Sequence, residues 1–233
     1  MAILALLAGP PVAGLLLTGL VYGKVGFRDF LSRLLKWRVG LSWYAIALLT
    51  APLLFMAVLL ALSLLSPEFL PGILTTSDKT GFLLFGLIVG VMAGFFEEIG
   101  WTGFAVPNLR KSYSVLATGL ILGLLWAAWH LLPAFWFSGT SSGALSLASY
   151  LFDPFLFLVM FRVLMVWVYD RTRSLLLGML MHMSLTASTR IFGPVVGFAG
   201  VTLMGFDLVW FAAMCIIVAA VAKGGQLSRK PLH

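Results

Sequence analysis

The chain has 233 residues, is 61% hydrophobic and has a mean hydropathy of +1.08, while 10% of its residues are charged, against about a quarter in a soluble domain. This excludes a soluble globular protein, and the net charge of +7 is distributed as a membrane topology signal, so no nucleic-acid partner is expected. The single cysteine, Cys215, excludes an internal disulfide and a thiolate metal cluster.

Seven apolar runs are predicted to cross a membrane, at about 2–22, 41–66, 81–109, 113–136, 148–169, 174–189 and 204–222. A bilayer core takes about 20 apolar residues as helix, and the alternation expected of a β-barrel is missing. The expected fold is all-α, a polytopic transmembrane helical bundle in which 1–233 form one domain. The first run has no basic residues before it and no small-x-small cleavage site, so it reads as a retained helix. After it, VGFRDFLSRLLKWRVG (Val25–Gly40) sets Phe27, Phe30, Leu31, Leu34 and Leu35 on one helical stripe with basic residues opposite. That pattern suits either an interfacial helix on an anionic leaflet, making membrane lipids a partner, or a solvated basic loop.

The connections test the layout. Lys24, Arg28, Arg33, Lys36, Arg38, Arg110, Lys111, Arg171, Arg173, Lys223, Arg229 and Lys230 fall on alternate connections, 12 of the 15 Lys and Arg residues. Lys79 and Arg190 fall on the other side, and Arg162 lies within the fifth run. Because Lys and Arg mark the cytoplasmic face, the amino terminus is expected outside and the tail inside. Short loops without internal targeting segments point to a prokaryotic plasma membrane.

Ionisable residues in the bilayer interior cost about 2.5–3.5 kcal/mol each on insertion scales and usually serve function. Here they are Glu97, Glu98, His130, His182 and Arg162. Neighbouring helix positions point about 100° apart, so Glu97 and Glu98 cannot aim at one spot: one can face a cavity while the other braces a cation or backbone. Two nearby carboxylates also disfavour double ionisation, which favours a base near neutrality. The plainer reading puts both at the membrane edge. His130 has Trp126 one turn before it, as the wall of a pocket, and His182 has Thr186 one turn after it. Each histidine alone also suits a structural polar contact between helices. Together, one glutamate and two histidines on three helices can hold a water and take its proton, or bind a zinc ion through Glu97, His130 and His182. At 1.5 Å per residue, Glu97 lies about 18 Å, His130 about 26 Å and His182 about 12 Å from their inner span ends. Tilt or displaced ends must absorb that scatter.

Other intramembrane protease designs fail on inspection: no HExxH or GxSG occurs, and Tyr169-Asp170 is not followed by GxGD. EEIGWTGFAVPNL, then WAAWHLLP, then HMSLT, over about 81–188, resembles the CPBP (CAAX protease and bacteriocin-processing, or Abi) family of intramembrane proteases. The family pattern is EExxxR, FxxxH and an HxxxN-like motif on three membrane helices. The resemblance implies Glu97 as the water-activating glutamate and Glu98 as its partner. It implies that His130 and His182 orient the water, stabilise the oxyanion or hold a metal. Thr102 stands at the motif arginine, Trp126 at the phenylalanine and Thr186 at the asparagine. Arg162 either snorkels to the headgroups or reaches Glu98 and supplies the missing cation. The expected function is an intramembrane endopeptidase acting on a membrane-associated or lipidated, CAAX-type, peptide. The alternatives are a non-catalytic relative serving peptide binding or bacteriocin self-immunity, and a transporter or proton relay, which lacks the expected inverted repeat.

Overall fold

The structure, a computed structural model, describes residues 2–138, 143–195 and 197–228. Among them the regular structure is helical: α1 (Ala2–Leu34), α2 (Leu41–Ser63), the short α3 (Gly72–Thr75), α4 (Lys79–Gly100), a π turn (Trp101–Ala105), α5 (Val106–Leu109), α6 (Val115–Ser138), α7 (Gly143–Thr172), α8 (Leu175–Phe192) and α9 (Gly200–Lys223). Six of these stretches are long and apolar enough to cross a bilayer, and 115–131 of α6 form a shorter apolar helix. The protein is therefore a polytopic helical bundle, as the hydropathy predicts. Arg229 and Lys230, counted in the charge asymmetry, lie outside the described residues. Three of the basic connections meet one another or the helix ends beside them: Tyr22 and Lys111 share Asn108, Ser174 Oγ donates to the Lys36 carbonyl (2.7 Å), and Arg110 pairs with Asp170 (2.8 Å). Arg110 is not a loop charge in water, since it is fully buried on Asp170.

The first run differs from its predicted limits. Helix α1 continues to Leu34 across a break at Gly23, whose φ of 57° and ψ of −143° suit only glycine. The break folds 24–34 back so sharply that Gly26 meets Thr18 and Tyr22. The predicted stripe is then split: Phe30 is buried against Leu175 and Met179 with Leu34 beside it, while Phe27, Leu31 and Leu35 are exposed. This refolded segment covers the start of α8, so Ser174 and Leu175 are fully buried rather than at the rim. His182, two turns further along α8, lies beside Glu98.

Glycines set the spacing of the long helices. Gly86, Gly90 and Gly94 recur every fourth residue and so line one face of α4. A Cβ there would lie 2.4 Å from Ile191, 2.7 Å from the Met183 carbonyl oxygen and 2.5 Å from the Met179 carbonyl oxygen, all on α8. Small residues permit this backbone approach inside a membrane. Gly119 and Gly123 do the same for α6 on α7, with Val163 and Val159 at 2.6 and 2.9 Å. Gly94→Ala is therefore expected to destabilise the bundle by about 1–3 kcal/mol, as overpacking does. Gly205→Ala, whose Cβ would meet nothing within 4 Å, should be neutral. Apparent melting temperatures in detergent separate the two, and equal values would refute the close-packing account.

Two prolines inside helices are matched by side chains from neighbours. A helical proline leaves the carbonyl four residues earlier without its usual donor, and in lipid that group needs another. Pro52 frees the Leu48 carbonyl, which accepts from Ser184 Oγ on α8 (2.9 Å); Pro107 frees the Gly103 carbonyl, which accepts from the Arg33 guanidinium (3.0 Å). The π turn at 101–105 precedes Pro107 by one turn, and such bulges often accompany functional sites.

Candidate active site

The α4 glycine face continues by the same four-residue step to Glu98 and Thr102, so both point at α8. Glu98 is fully buried and receives the Arg162 guanidinium in a two-pronged contact, Nη1 to Oε2 and Nη2 to Oε1, both 2.9 Å. His182 Nδ1 lies 2.8 Å from Oε1, and the Thr102 hydroxyl donates to Oε2. Gly178, one turn before His182, leaves room for Thr102. A charge buried in lipid is tolerable only when paired and hydrogen-bonded in this way. Of the two readings of Arg162, snorkelling and pairing, the structure has pairing: the side chain is fully buried and its planar fork occupies both carboxylate oxygens.

Glu97 points elsewhere, as its neighbouring position on the helix requires. It is 3% exposed, and its Oε2 accepts from the Trp126 indole N–H at 2.9 Å. Both glutamates are buried inside the bundle. Trp126 is thus more than a wall: its ring also carries the Arg162 guanidinium at 4.0 Å and meets the His182 and His130 rings edge-on at 4.8 and 5.7 Å. Phenylalanine at this position would have no donor for Glu97. His130 Nδ1 lies 2.9 Å from the Trp126 carbonyl oxygen. A carbonyl only accepts, so Nδ1 carries the proton and Nε2 remains for other partners.

The sequence-predicted residues mostly converge. Glu97, Glu98, Thr102, Trp126, Arg162 and His182 are linked by direct contacts, and His130 joins through Trp126. Thr186 does not: no hydrogen bond of the described residues ties its hydroxyl to the cluster, although its carbonyl accepts from Thr189. Ser184, on another face of α8, goes to α2. Among the described residues no three His, Cys, Asp or Glu side chains gather closely enough to hold a metal ion as folded, the set of Glu97, His130 and His182 included.

Comparison with known proteins points to the same stretch. Residues 79–188 match the family described as type II CAAX prenyl endopeptidase, Rce1-like. The chain is 31% identical over 112 residues to CAAX prenyl protease 2 of Methanococcus maripaludis, a match covering 44% of this chain and 39% of that relative. The segment that matches the Rce1-like CAAX prenyl endopeptidase family, 79–188, holds every member of the buried cluster, and the chain spans about two fifths of that relative's length.

Proposed function

We propose that the protein is an intramembrane endopeptidase that hydrolyses a peptide bond in a membrane-associated peptide, with Glu97 as general base. The observation that carries this reading is the asymmetry of the two carboxylates. Glu98 is occupied by two arginine N–H groups, a histidine and a threonine hydroxyl, so it has no capacity left for a substrate proton. Glu97 is held by one indole N–H at one oxygen, which orients it while leaving basic capacity at the other.

In the proposed reaction the water oxygen forms a bond to the scissile carbonyl carbon as Glu97 takes its proton. The C–N bond then breaks, and Glu97 returns the proton to the departing amine. His182 and His130 both direct Nδ1 at a protein acceptor, so Nε2 of each neutral ring is an acceptor for a hydrogen of the water. Arg162, Thr102 and Glu98 act as positioning residues: they fix His182, and Arg162 packs on the ring that orients Glu97. No step in this scheme uses a metal. A prenylated C-terminal substrate is the class that the family description favours. A prokaryotic plasma membrane with the amino terminus outside remains our topology, on the charge asymmetry of the loops.

Thr102 at the motif arginine favours a second reading, a non-catalytic peptide-binding or self-immunity protein. The Arg162 guanidinium on Glu98 weakens that reading, because the missing charge is present in space. The deciding experiment uses the purified full chain in phospholipid vesicles with prenylated, acylated and unmodified anchored peptides, in ¹⁸O-water, with mass spectrometry of products. Release of a peptide carrying one ¹⁸O at its new carboxyl terminus is expected, and it should survive a chelator. A folded protein that cleaves none of the three would leave the binding reading standing alone.

A further inference from the structure

We infer that the basic end of the bundle carries a phosphate-binding pocket filled by the headgroup of an anionic phospholipid. A cavity of about 320 Å³ opens there, lined by Asp29, Ser32, Arg33, Lys36, Tyr169 and Arg173. Arg33 is its fixed floor: Nε pairs with Asp29 at 2.9 Å, and Nη1 reaches both the Gly103 carbonyl (3.0 Å) and the Tyr169 hydroxyl (3.1 Å). Asp29 offsets one cation. Lys36 and Arg173 have no ion-pair partner among the described residues, so the lining keeps a surplus of positive charge without an anion.

The backbone at Arg173 points the same way. Its φ is 53°, and no other described non-glycine residue has a positive φ. Directly after a helix this position normally falls to glycine, and an unfavourable conformation is kept where a side chain serves a purpose. Here it presents a guanidinium to the cavity. A lipid rather than a free anion is indicated by the chain segment that supplies Asp29, Ser32, Arg33 and Lys36 to the cavity, on which Phe27, Leu31, Leu35 and Trp37 are 42%, 51%, 64% and 60% exposed. These side chains suit the boundary between headgroups and acyl chains, and Lys and Arg there attract anionic lipid. The floor also joins the candidate site, because Arg33 holds Gly103 and the preceding Thr102 donates to Glu98.

The test is native mass spectrometry of the full chain in detergent, titrated with phosphatidylglycerol and with phosphatidylcholine, for the parent, Lys36→Gln and Arg173→Gly. Phosphatidylglycerol should be retained over phosphatidylcholine, and each variant should weaken its retention about fivefold, as expected for one interfacial charge. Without lipid, Arg173→Gly should melt higher than the parent, because glycine accepts the left-handed conformation. A purely structural arginine would show the reverse: lower melting with the lipid preference intact. Equal binding of the two lipids, or variants that keep the parent's preference, would overturn the proposal. So would displacement of phosphatidylglycerol by millimolar inorganic phosphate, which would make the site one for a free anion. Displacement by a peptide with a free terminal carboxylate would reassign it to peptide binding.

Discussion

Glu97→Gln is expected to fold like the parent and to lose at least about 10²-fold in cleavage rate, the usual contribution of a positioned general base. Glutamine keeps an oxygen for the Trp126 indole N–H, so the contact that orients the side chain survives while the proton acceptor is lost. Glu98→Gln should behave oppositely. It leaves the fully buried Arg162 guanidinium without its counter-charge, and removing one partner of a buried ion pair costs about 3–5 kcal/mol. Apparent melting temperature and cleavage rate should therefore separate adjacent residues, with Glu97→Gln stable and inactive and Glu98→Gln unstable before it is inactive. If the two variants proved indistinguishable on both measures, the division of labour between the carboxylates would have to be abandoned.

Arg162→Ala is expected to destabilise the bundle by a similar amount, about 3–5 kcal/mol, since it strands Glu98 in a dry interior. Arg162→Lys should recover only part, because an ammonium lacks the planar fork and stacks less well on the Trp126 ring. Thr102→Arg in the Arg162→Ala background should recover more. Position 102 is one turn from Glu98 and already donates to it, and helix neighbours four apart can pair. Rescue of both melting temperature and cleavage would show that the guanidinium has moved from α4 to α7 while its task stayed on Glu98. An Arg162→Ala protein as stable and active as the parent would end that account.

Much of this was legible before the structure. Hydropathy located the membrane helices, and the rarity of charge within them singled out Glu97, Glu98, His130, His182 and Arg162 as residues needing partners. What was not legible was who met whom. Arg162 and Glu98 are 64 positions apart, and no local rule says which cation on one helix turns toward which anion on another. Composition also hides the break at Gly23, which returns a basic segment against α8 and buries its first turn. One signal was readable and unused. Gly86, Gly90 and Gly94 at four-residue spacing announce a close helix neighbour, and the next step along that face is Glu98. The indole of Trp126 is a different case, because a Trp in place of Phe reads as conserved bulk until its N–H is seen on Glu97.

Two of the glycine-lined contacts pair the helices that carry the site. Helices α4 and α8 are laced at backbone distance, as are α6 and α7, and none of the described glycines draws α4 against α6 in that way. Glu97, Glu98 and His182 ride on one half, and Trp126, His130 and Arg162 on the other. The site residues thus come from both glycine-laced pairs and meet through an indole N–H and a guanidinium. Trp126 and Arg162 therefore tie the α6–α7 pair to the carboxylates of α4, and loss of either side chain unlinks the two halves at the site.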